Sequence, residues 1–118
     1  MKYMLLLFED EQVMNRSVDE AGFEAYMAPW AAYSEAMQQA GVIVSGEPLA
    51  EAHTASTLSV RDGKRQVQDG PFIDSKEQLG GFYVIDVANL DEAMSWAEKC
   101  PAAPTGHIEI RPVPDFSQ

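Results

Sequence analysis

A chain of 118 residues with 46% hydrophobic content is sized for one globular core, so a single domain over residues 1–118 is predicted. Nineteen acidic residues against eight basic ones give a formal charge of −11, which repels polyanions and disfavours nucleic-acid binding. The longest uninterrupted apolar run, residues 4–8, is far below the roughly 20 residues of a membrane span, and a lone cysteine, Cys100, permits no internal disulfide; no membrane is expected, and the expected location is cytoplasmic.

Residues 2–8 read as a first strand with Tyr3, Leu5 and Leu7 on one face and Met4, Leu6 and Phe8 on the other. Both faces are apolar, so each needs a cover. Glu9, Asp10 and Glu11 read as an acidic turn, and Ser17 with Glu20 has the spacing of a capping box that starts a helix. Phe23, Tyr26, Met27, Trp30, Tyr33 and Met37 recur at helical spacing up to the natural stop at Gly41, with a kink or restart expected before Pro29. Residues 42–45 predict a second strand. Residues 56–61 and 64–68 flank Asp62-Gly63, the dipeptide of a type I′ hairpin turn.

Asp69-Gly70-Pro71-Phe72 halts the hairpin. Phe72 and Ile73 are expected to enter the core, and Asp74 or Ser75 to cap a short helical turn over residues 76–78. Gly80-Gly81 then opens a central strand over residues 82–87. Asn89 caps a second helix whose inner face carries Leu90, Ala93, Met94, Ala97 and Cys100, and residues 106–113 form the last strand. The order β-α-β, hairpin, β-α-β is that of an α+β ferredoxin-like sandwich with an inserted β-hairpin. Two helices cover one face of such a sheet. The apolar second face is expected to pack on the same face of another copy, giving a homodimer.

Asp69-Gly70-Pro71-Phe72, Ser75-Lys76-Glu77, Leu79-Gly80-Gly81-Phe82, Leu90-Asp91-Glu92-Ala93 with Trp96-Ala97, and the closing run from Ile108 to Val113 resemble, as an ordered set, the DGPF-domain proteins of the YCII-related family. The resemblance covers nearly the whole chain. It implies a ferredoxin-like fold dimerising into an α/β barrel, and cytoplasmic bacterial proteins of undetermined activity, many encoded beside extracytoplasmic-function sigma factors. Some YCII relatives carry a His and Asp pair around the first helix. Residues 21–41 contain neither here, so that pair does not carry over.

For chemistry, the residues offer Asp69 before the turn, and His107, Glu109 and Arg111 on one face of the last strand. His107 is the candidate proton-transfer group because histidine alone titrates near neutrality, Glu109 could orient it, and Arg111 could hold an anionic ligand. The competing explanation is an interface ion-pair network among the same groups. Tyr26, Trp30 and Tyr33 could line an apolar ligand pocket with polar handles, although an aromatic stripe at helical spacing is more often core. His53, His107 and Glu109 are too dispersed to suggest a metal, and no phosphate loop, dinucleotide fingerprint or nucleophile elbow appears, so no cofactor is expected. The expected function is cofactor-independent binding of a small anionic or polar ligand, or acid/base catalysis, in a cavity near the dimer interface. The alternative is a regulatory partner of a sigma factor.

Overall fold

The computed structural model describes residues 1–10 and 20–117. Its centre is β1 (Lys2–Asp10), whose strict alternation buries Tyr3, Leu5, Leu7 and Glu9 on one side and leaves Met4, Leu6 and Phe8 half-buried on the other. The strand therefore runs through Glu9 and Asp10, which the sequence placed in a turn. β1 pairs antiparallel with β5 (Glu77–Asp86) on one side and with β6 (His107–Val113) on the other, and β2 (Ile43–Pro48) closes the β5 edge, giving the order β2-β5-β1-β6. This is the mixed α+β arrangement expected of a ferredoxin-like sandwich.

Helix α1 (Glu20–Gln39) runs unbroken through Pro29, without the restart expected there. Its end is a Schellman motif: the Val42 amide donates to the Met37 carbonyl at 3.1 Å and Gly41 to Gln38 at 3.0 Å, while Gly41 takes φ +71°, a geometry costly for residues with a Cβ. The capping box expected at the other end rests on Ser17, outside the described residues. Helix α2 (Leu90–Glu98) is capped by Asn89, whose side-chain oxygen accepts from the Glu92 amide at 2.9 Å, while Glu92 accepts from the Ala88 amide at 3.0 Å.

Both helices contribute to the core on one side of the sheet, where Leu5, Met37, Ile85 and Cys100 are fully buried among Tyr33, Ala93 and Ala97. Each large apolar side chain buried there contributes about 1.5–3 kcal/mol. Phe23, Leu90 and Met94, expected on inner helix faces, are instead exposed.

β3 (Ser56–Arg61) and β4 (Lys64–Asp69) form a separate two-stranded sheet turning at Asp62 (φ 53°) and Gly63 (φ 73°), with Leu58 opposite Val67 and Val60 opposite Arg65 as the type I′ turn dictates. Beyond it the expectations for residues 72–78 fail. Phe72 is 79% exposed and Ile73 67%, and no helical turn forms, because β5 begins at Glu77 and Ser75 Oγ merely accepts from the Glu77 amide at 3.3 Å. Gln78 holds this connection instead, donating to the carbonyls of Ile73 at 3.0 Å and Ser75 at 2.8 Å.

Candidate functional site

The alternation that buries Leu5 and Leu7 also carries Glu9 to the helix side of β1, where it is only 5% exposed. A carboxyl group so placed needs a partner. α1 supplies it: the Tyr26 hydroxyl donates to Glu9 Oε1 at 2.6 Å. Burial, then this hydrogen bond, pushes the Tyr26 hydroxyl well above its ordinary value and keeps it protonated.

The pair lies on the wall of a cleft of about 440 Å³ between α1 and the sheet. One side is built by Tyr26, Met27, Trp30 and Ser34 of α1, the other by β2, β5 and the end of β1. Gly46 and Gly81 belong to the sheet side: a Cβ on Gly46 would meet the Tyr83 ring at 2.6 Å, and one on Gly81 the Glu47 carbonyl at 2.9 Å. Tyr83 and Ser34 share a second hydrogen bond across the cleft at 2.8 Å, and burial raises the Tyr83 hydroxyl too. The ring of Trp30 lies 6.5 Å from that of Tyr26, so the lining is largely aromatic and apolar, with the Glu9–Tyr26 and Ser34–Tyr83 hydrogen bonds among its polar points.

The candidates from sequence are spread over four places. Trp30 lines the cleft, whereas Tyr33 is core, its hydroxyl donating to the Trp96 carbonyl at 2.8 Å. His107, Glu109 and Arg111 stand opposite Phe8, Leu6 and Met4 on the open face of the sheet. There the carboxyl group that holds His107 is Glu77, with both oxygens 2.9 Å from Nδ1, while Glu109 lies 4.0 Å from Arg111 Nε. Asp69 ends β4, on the other sheet and exposed. Among the described residues no three His, Cys, Asp or Glu side chains converge as a metal site would require, and no helix is long and apolar enough to cross a membrane. Sequence reasoning missed Glu9 and Tyr26 as a pair, and it missed Glu77 as the partner of His107.

Residues 1–117 match the YCII-related domain family. The chain belongs to that family. An uncharacterized protein of Rhizobium meliloti (strain 1021) is 37% identical to it over 115 residues, covering 96% of this chain and 92% of that one. Among solved structures, the 5-chloro-2-hydroxyhydroquinone dehydrochlorinase of Burkholderia phenoliruptrix AC1100, in complex with 2,5-dihydroxybenzoquinone, is similar with a TM-score of 0.51 at 17% identity, covering 97% of this chain and 94% of that one. At that identity the likeness is one of fold, and it places this YCII-related chain on an architecture that includes a small-molecule enzyme.

Proposed function

We propose that this YCII-related protein binds a small, largely apolar molecule bearing a hydroxyl or carbonyl group in the cleft between α1 and the sheet, with Glu9 and Tyr26 holding or moving a proton on it. The observation that carries this is the Glu9–Tyr26 hydrogen bond on the wall of an aromatic cleft of about 440 Å³, within the usual size of small-molecule sites. Glu9 can accept the proton of a ligand hydroxyl, and the protonated Tyr26 donates to an oxygen on which charge develops. The same reading pairs the open sheet face with that of a second copy, making a homodimeric α/β barrel whose halves meet across Met4, Leu6, Phe8, Phe82 and Val84.

Titration calorimetry with 2,5-dihydroxybenzoquinone, the molecule held by the fold neighbour, tests the cleft. Saturable binding is expected, weakened about tenfold by Tyr26→Phe or Glu9→Gln and abolished by Ala31→Trp, which puts a large side chain into the cleft that Ala31 also lines. No heat with this quinone or with a series of phenols and hydroquinones would sink the reading. The contact of Glu77 with His107 Nδ1 favours a second reading, in which His107 transfers the proton between the paired sheets. In that case His107→Ala abolishes turnover while Tyr26→Phe leaves it intact.

A further inference from the structure

The β3–β4 hairpin is an arm whose apolar face is left open among the described residues. Every residue of β4 is exposed, and Leu58, Val60 and Val67, on one face, are 54, 56 and 56% exposed. Its base is nevertheless fixed: the Gly70 amide donates to the Ala55 carbonyl at 2.7 Å, Thr57 Oγ1 donates to the Gly70 carbonyl at 2.9 Å, and Gln68 Nε2 donates to the Pro71 carbonyl at 3.1 Å. These bonds close the base of the hairpin, and the protomer is flat, 48 × 47 × 18 Å.

A two-stranded hairpin alone in water is marginally stable at best, and an apolar face left open on one requires a cover. Charge says what that cover is. The arm bears Arg61, Lys64 and Arg65 against Asp62 and Asp69, a net +1 with Arg65 on the apolar face and Arg61 and Lys64 on the other, whereas the chain as a whole carries −11. A basic, apolar arm on an otherwise acidic body fits the body of another copy, and in a two-fold pair each copy gives one arm and receives one.

We infer that the β3–β4 hairpin is a clasp that packs its Leu58, Val60 and Val67 face onto a second copy of this chain, with Arg65 of the same face, and Arg61 and Lys64 beside the turn at the arm's tip, set against that copy's acidic surface. The inference rests on the sheet pairing proposed above and adds a second, separate contact to it.

Hydrogen exchange of the arm amides, read alongside native mass spectrometry of the full chain, tests the clasp. The expected result is a dimer in which the β3–β4 ladder amides exchange at least tenfold more slowly than in the double variant Leu58→Ser/Val67→Ser and the triple variant Arg61→Glu/Lys64→Glu/Arg65→Glu. Protection must fall in both variants, with or without loss of the dimer. These side chains are exposed, so circular dichroism should show the body folded. A wild-type dimer whose arm exchanges as fast as the variants' overturns the clasp and leaves the sheet pairing standing. So does arm protection that survives both variants. A monomeric wild-type protein overturns the sheet pairing and the clasp together.

Discussion

Burial holds Cys100 as a neutral thiol, its pKa pushed up to about 11 with the side chain 1% exposed. A group whose pKa is raised on folding contributes fully below its unfolded value, here about 9, and that contribution is lost as pH climbs through about 11. The contribution of Cys100 should therefore be level near neutrality and fall above pH 9, by on the order of 2–3 kcal/mol. Tyr26 and Tyr33, both raised by burial, add to it at higher pH. Cys100→Ala should flatten the limb between pH 9 and 10 in denaturant titrations. A limb unchanged by that substitution would refute the assignment. Gly106 is a second sensitive point, because a Cβ there would run into the Phe8 carbonyl and lie 3.2 Å from the Ala102 carbonyl. Both are backbone, so Gly106→Ala should cost about 1–3 kcal/mol, read as a lower urea midpoint at unchanged slope. The site residues were only partly legible at this scale. Glu9 is in phase with Tyr3, Leu5 and Leu7, and that phase was the available signal. An acidic run after an apolar strand reads as a turn unless something across the fold, here Tyr26, receives the carboxyl group.

Among the elements, α1 carries the clearest conflict between local rule and outcome. Pro29 removes one helical hydrogen bond and crowds the preceding turn, yet the helix continues on both sides because Tyr33 and Met37 are anchored in the core. Pro29→Ala should raise stability by about 2 kcal/mol, the roughly 3 kcal/mol of relieved helix strain offset in part by a more flexible unfolded chain. A thermal midpoint that stays put or falls would show that the helix bends usefully at this point. Strand alternation, the Asp62-Gly63 turn, the Asn89 cap and the Gly41 stop were all readable, since each is set by residues within a few positions of one another. Phe72 and Ile73 were misjudged for the opposite reason. Apolar residues after a turn normally enter a core, but the turn at Gly70 (φ 103°) and the Gln78 side chain fix this connection on the surface. The Glu77–His107 contact was equally hidden, because it reaches from β5 to β6 across the intervening β1.

At the scale of the whole molecule the question is how a sheet with one covered face coexists with a charge of −11. Leu6 stands opposite Phe82 and Met4 opposite Val84 at the middle of the open face, both pairs only half-buried, with His107, Glu109 and Arg111 along one margin. Burying such a patch against its copy contributes about 25 cal/mol for each Å² removed from water. Repulsion between two acidic protomers opposes that gain over roughly 10 Å at 0.1 M salt. The sheet contact should therefore tighten as salt is added, whereas a clasp held by Arg61, Lys64 and Arg65 should loosen. Phe82→Glu places a charge in the centre of the apolar contact and is expected to give folded monomers by light scattering at micromolar concentration, against twice the protomer mass of 13.0 kDa for the unsubstituted chain. If the unsubstituted chain scatters as a single protomer at every salt concentration, the paired-sheet barrel is wrong. If the pair forms and strengthens from 0.05 to 0.5 M salt, the apolar face dominates the interface, and the basic arm acts in orienting the two copies more than in holding them.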